Sequence, residues 1–155
     1  MAKLQLTMAT EQASAVSDAL DAYTRLCIGQ LEEVAQLVRQ GVIPMAMPGP
    51  DGQRQTAPVE VSDRIEELMV EAKRLLGHPS NGSHGIGHAF NALAGRRAYE
   101  VKKVIDKTVA VFRNPNPGFR TVAYDGLGPR YTTDSAPAAV IIEDATADSF
   151  GTSPS

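Results

Sequence analysis

The chain has no tryptophan, and aromatic residues make up only 5% of it. Aliphatic and alanine side chains must therefore fill most of the core in a chain whose apolar fraction is an ordinary 43%. There is one cysteine, Cys27, which excludes a disulfide within the chain and any zinc ribbon. Its place on an apolar helical stripe reads as a buried, inert thiol. No apolar run is long enough to span a bilayer, and neither a signal peptide nor a lipidation motif is visible. "NGS" at Asn81 matches a glycosylation acceptor but has no secretory context. A reducing cytoplasm is the expected compartment, with no membrane partner. Positive charge is also short: a formal net charge of -3 argues against binding to duplex DNA or RNA.

What charge there is falls unevenly. Met1 to Glu66 holds five basic and nine acidic residues, whereas His88 to Arg120 holds seven basic residues against Glu100 and Asp106. A basic helix in an acidic protein either pairs with an acidic face of its own chain or meets a small anionic ligand.

A length of 155 residues suits one domain with a hydrophobic core. "KLQLTM" alternates Leu4, Leu6 and Met8 with polar residues, the pattern of a short half-buried strand. Thr10 is placed to cap a long helix whose Val16, Leu20, Tyr23, Cys27, Leu31, Val34 and Val38 recur at steps of three and four. Gly41 stops it, and Gly29 sits in its middle, where either a close helix crossing or a ligand against the backbone explains a glycine. Residues 41–60 carry four prolines and three glycines without a period, a long surface loop. Ser62 is placed to cap a second helix with a stripe of Ile65, Leu68, Met69, Ala72, Leu75 and Leu76, ended by Gly77 and Pro79. A third helix is expected from about His88 to Arg113, with "FRTVAY" and "AAVIIE" beyond it as strands. The expected fold is α+β, a three-helix core with a small antiparallel sheet formed by the N-terminal strand and the C-terminal strands. The domain spans 1–143, and the small polar residues 144–155 read as a disordered tail.

Between the second and third helices lies "HPSNGSHGIGH", which holds all three histidines. His84 and His88 are four apart and His78 offers a third nitrogen, but no H-E-x-x-H motif or nearby carboxylate completes a metal site, and Gly85 and Gly87 oppose a helix between them. Gly82 and Gly87 have P-loop spacing, yet His88 and Ala89 stand where Lys and Ser/Thr belong. Phe90 likewise occupies the third glycine of a dinucleotide fingerprint. Ser83 beside His84 lacks both a nucleophile elbow and an orienting carboxylate. No catalytic residue, metal ligand or cofactor is therefore assigned, and the chain is expected not to be an enzyme. Backbone amides around Gly85, Ile86 and Gly87, feeding a positive helix end and flanked by Ser83, remain able to hold an anion. The bland alternative is a flexible connector with a helix cap.

"SDALDAYTRLCIGQLEEV", "SHGIGH" and "RRAYEVKKVIDKTVAVFRNPNPGF" together resemble a family of small uncharacterised proteins from tailed phages and prophages. The likeness covers about residues 3 to 143. Its shared positions fall on Leu20, Asp21, Tyr23, Arg25, Gly29 and Gln30, on Gly85, Ile86 and Gly87, and on Tyr99. The family lacks histidines in this turn, so the departure here moves weight from the imidazoles to the glycine backbone. The resemblance implies a sponge that sequesters a phosphorylated (cyclic) nucleotide signal in the host cytoplasm and so antagonises host antiviral defence. The residues expected to bind it are Ser83, His84, Gly85, Ile86, Gly87, His88, Arg25, Gln30, Arg96, Arg97 and Tyr99, with Tyr99 able to stack on a base. A homo-oligomer would let two chains contribute to one ligand. Two rivals are a protein–protein inhibitor of a host factor, using loop 41–60 or the helix faces, and a metal-dependent hydrolase using His78, His84 and His88.

Overall fold

A computed structural model describes residues 3–143. Helix α1 spans Thr10–Cys27, α2 Glu33–Arg39, α3 Val59–Leu75 and α4 Leu93–Arg113, and a single 3-10 turn follows at Val122–Tyr124. Among the described residues there is no β-strand, so the expected α+β fold with its antiparallel sheet is corrected to an all-helical one. Alternation makes a strand possible, but a strand needs a partner for its backbone groups. Leu4 and Leu6 stand exposed with no neighbouring strand. Residues Val122–Tyr124 coil instead, held by Lys103 Nζ donating to the Val122 carbonyl at 2.9 Å and the Tyr124 hydroxyl donating to that of Asn114 at 3.0 Å. The tail expected at 144–155 lies outside the described residues.

The single long first helix is also corrected, because the chain breaks between α1 and α2. Gly29 adopts φ +89°, the left-handed conformation that side chains with a Cβ resist. Its N–H donates to the Leu26 carbonyl and that of Gln30 to Arg25, closing α1 with a Schellman motif. The expected stops at Gly41 and Gly77 use the same device at the ends of α2 and α3. The His78 ring lies against Gly29, where a Cβ would stand 2.7 Å from Nδ1. Neither expected cap serves as one. Thr10 is already helical behind Ala9, and α3 starts behind Pro58, with the buried Ser62 hydroxyl donating back to the Val59 carbonyl at 2.7 Å.

The helices pack as two pairs, α1 along α4 and α2 against α3. Gly95 lets α4 approach Cys27, whose Cβ would lie 2.6 Å from a Cβ added there. Polar groups fill much of the α1–α4 seam. The buried Ser17 hydroxyl donates to Asp106 Oδ1, and Lys102 Nζ lies 2.5 Å from Asp106 Oδ2 and 3.5 Å from Asp21 Oδ1. Burial alone would pull the Lys102 ammonium down, but Asp106 and Asp21 outweigh it and hold the group above its ordinary value. In the second pair Lys73 is fully buried, with Nζ 3.1 and 3.0 Å from the two Glu32 oxygens, and Arg39 bridges Asp63 and Glu66. The apolar stripe expected to bury α3 is displaced outward: Leu68 is 45%, Leu75 84% and Leu76 67% exposed.

The C-terminal segment is fastened to α4 by one carboxylate. Glu100, 2% exposed, accepts from the Tyr131 N–H at 2.7 Å, the Thr132 N–H and hydroxyl at 2.9 Å each, and Arg130 Nε at 3.0 Å. Burial pushes its carboxyl up, but the Tyr131 amide, the Thr132 hydroxyl and amide, and Arg130 prevail, and the group titrates below its ordinary value.

Two predictions follow from this wiring. Glu100→Gln keeps the shape but loses the charge on which four donors converge, and should destabilise by about 2–4 kcal/mol in chemical denaturation. Because the folded carboxyl titrates low, its contribution is complete above the ordinary carboxylate pKa and fades as pH falls through the depressed one. Protease access to residues 128–136 should therefore rise at acid pH in the parent and be high at all pH values in Glu100→Gln. Gly29→Val, strained in backbone and driven into His78, should cost about 2–4 kcal/mol. Equal stability of that variant in a thermal melt would contradict the Schellman assignment.

Candidate anion-binding turn

Residues 78–92 cross from the end of α3 to the start of α4, passing beside the end of α1. The crossing is pinned by the His84 N–H, which donates to the Ile28 carbonyl at 3.0 Å. Gln30 Nε2 then donates to Ser83 Oγ at 3.1 Å, and Arg25 Nη1 donates to Gln30 Oε1 at 3.3 Å. Arg25, Gln30 and Ser83 are thus brought to one place from positions 53 or more residues apart at the extremes. Arg25 arrives already engaged: its Nε lies 2.6 Å from Asp21 Oδ2 and 3.6 Å from Glu33 Oε2. The Asp21 hydrogen bond raises the guanidinium above its ordinary value, so it remains a cation there.

The three histidines converge as a column of rings. His84 and His88 stack with centroids 4.0 Å apart and planes 18° from parallel, and His78 meets His84 edge-on at 5.0 Å. Phe90 closes the far end against His88 at 5.3 Å. Among the described residues no three His, Cys, Asp or Glu side chains are grouped so as to hold a metal ion.

The turn itself is organised through its carbonyls. The buried Asn91 side chain donates to the Gly85 and Ile86 carbonyls at 2.7 and 3.0 Å, and the His88 N–H donates to Gly85 O at 2.9 Å. Arg96 Nη2 donates to the His88 and Ala89 carbonyls at 2.7 and 3.3 Å. In contrast, the N–H groups of Gly85, Ile86 and Gly87 donate no hydrogen bond among the described residues. A Cβ added at Gly85 would meet open space, whereas one at Gly87 would stand 2.9 Å from Tyr131 Cε1. Tyr131 therefore lies over one end of the turn and leaves the other open.

Two expectations need correction. Helix α4 begins at Leu93, not His88, so its positive end is separated from the glycines by the His88–Ala92 turn that Asn91 and Arg96 hold. Arg97 and Tyr99, expected at the turn, are engaged by residues of the C-terminal segment. Arg97 Nε is 2.5 Å from Asp134 Oδ2, and this hydrogen bond holds the Asp134 carboxyl below the usual range. Tyr99 packs edge-on to Tyr131 at 5.8 Å, and burial pushes its phenol up. Both belong to the fastening of the C-terminal segment. Sequence reasoning missed Asn91 and Glu100, the two buried side chains that shape this region. Hollows lie within loop 49–56 and between α4 and Ile141, neither lined by residues of the turn.

Gly87→Val should push Tyr131 off the turn and cost about 1–3 kcal/mol of stability. Gly85→Val has room for its side chain and should melt within a degree or two of the parent; a large loss there would mean the turn is more tightly enclosed than described. No helix of the described residues is long and apolar enough to cross a membrane. No protein-family model, curated protein or solved structure matches the chain.

Proposed function

We propose that the chain is a non-catalytic binding protein that captures the anionic group of a small phosphorylated ligand at Ser83–Gly87. The observation that carries this reading is the run of three N–H groups at Gly85, Ile86 and Gly87 that have no acceptor among the described residues, on a turn whose Gly85, Ile86, His88 and Ala89 carbonyls accept from Asn91, His88 and Arg96. Successive free amides on a glycine turn suit phosphoryl oxygens. The Ser83 hydroxyl adds a donor and the stacked His84 and His88 rings a flat surface beside them, and Gln30, itself held by Arg25, fixes that hydroxyl in place.

Because the turn is open, recognition rests on the phosphoryl group more than on a base enclosed in a pocket. In the setting that the phage resemblance implies, the ligand is a phosphorylated nucleotide signal and the activity is its sequestration in the host cytoplasm. Arg97 and Tyr99 are not assigned a direct role, being spent on the C-terminal segment.

A thermal-shift screen with linear and cyclic nucleotides, phosphosugars and inorganic phosphate tests this directly. A ligand at 100 times its dissociation constant should stabilise by about 2.7 kcal/mol. Gly85→Val should remove the shift while leaving the unliganded melt in place, and Ser83→Ala should weaken binding several-fold, about 1 kcal/mol. No shift with any phosphorylated compound, or an undiminished shift in Gly85→Val, rejects the reading.

A further inference from the structure

Helix α3 touches only α2 among the helices, and does so with the wrong side. Its buried residues are Ser62 and Lys73, with Glu66 and Met69 on the same face at helical spacing. The neighbouring face carries Val61, Ile65, Leu68, Ala72 and Leu75. These alternate at steps of four and three, the d and a positions of a heptad. Val61, Leu68 and Leu75 are 37%, 45% and 84% exposed, while Ile65 and Ala72 are half-buried, so no other helix covers this seam among the described residues.

We infer that this seam seats the same seam of a second copy, with the two α3 helices antiparallel. Charge selects the occupant and the direction. Arg64 and Glu71 are the residues that flank the seam on its outer side, both in g positions. An antiparallel two-fold that sets Ile65 against Leu68 of the partner subunit brings Arg64 beside Glu71 of the partner subunit, and the reverse pair forms by symmetry. Val61 then meets the small Ala72 of the partner subunit, which lets the backbones close. A parallel pair would leave Arg64 facing Ser62 or Met69 positions that α2 already covers. Among the described residues Arg64 pairs with Glu67 alone, an exposed, one-turn contact at 2.6 Å, which is easily exchanged.

The two phosphoryl-binding turns, each just past the C-terminal end of α3, would lie at opposite ends of the dimer and act independently, so this inference does not rest on the ligand reading.

Sedimentation velocity of the full chain between about 5 and 300 µM provides the test, since a small non-obligate interface dissociates in this range. The chain should move from monomer to dimer with rising concentration. Leu75→Glu, at a position too exposed to matter to the single chain, should weaken the dimer at least tenfold, as should Leu68→Glu, with helicity by circular dichroism unchanged. Arg64→Glu should weaken it several-fold, and adding Glu71→Arg should restore it. A monomer throughout the range, or a dimer indifferent to Leu75→Glu, overturns the interface. A charge-swapped double variant no tighter than Arg64→Glu overturns the antiparallel pairing.

Discussion

The fold turns on a carboxylate that the protein has buried and then surrounded with donors. Glu100 sits in the middle of α4, a place where an unpaired charge is prohibitive, and it is supplied with two amides, a hydroxyl and a guanidinium from residues 130–132. Residues 130–134 are thereby fixed without a strand ladder or a large apolar contact. Tyr131, held by its own N–H to Glu100, is carried onto Gly87 and Tyr99, and Asp134 is delivered to Arg97. One ionised group on a helix thus determines which end of the glycine turn is covered and which is left to solvent.

The rest of the molecule uses polar contacts in a similar way. With few aromatic residues to bury, the α1–α4 seam is built around Ser17, Asp106, Lys102 and Asp21, and the α2–α3 pair around Lys73 with Glu32 and Arg39 with Asp63 and Glu66. Among the described residues the buried hydrophobic side chains are those of Ala35, Val38, Ala98 and Val109. Ion pairs of this kind fix which surfaces meet more than they add stability. They explain how α3 can pack with its charged flank inward while its leucines face out.

Local sequence carried the elements whose causes are local. Gly41 and Gly77 end helices as their positions suggest, and the prolines of 41–60 keep that segment irregular. Gly29 was hidden because the apolar steps of three and four run on through Leu31, Val34 and Val38 as though no break intervened. Alternation in "KLQLTM" and "AAVIIE" describes a face, not the partner that would make it a strand. Asn91 and Glu100 could not be singled out, since what gives each its role lies in the folded turn or thirty residues downstream. Gln30 was grouped with Ser83 only through the family resemblance, since the break at Gly29 that lets them meet was read as mid-helix. The engagement of Arg97 and Tyr99 by the C-terminal segment was not legible, for it depends on Asp134 and Tyr131.

What remains is a surface with three amides that donate no hydrogen bond among the described residues, a column of imidazoles and an arginine–glutamine pair. Amide-resolved NMR during titration with inorganic phosphate addresses that surface atom by atom. Saturable shifts centred on the Gly85, Ile86 and Gly87 N–H resonances are the predicted result. Shifts confined to the lysines and arginines of α4, or none that saturate, would contradict it.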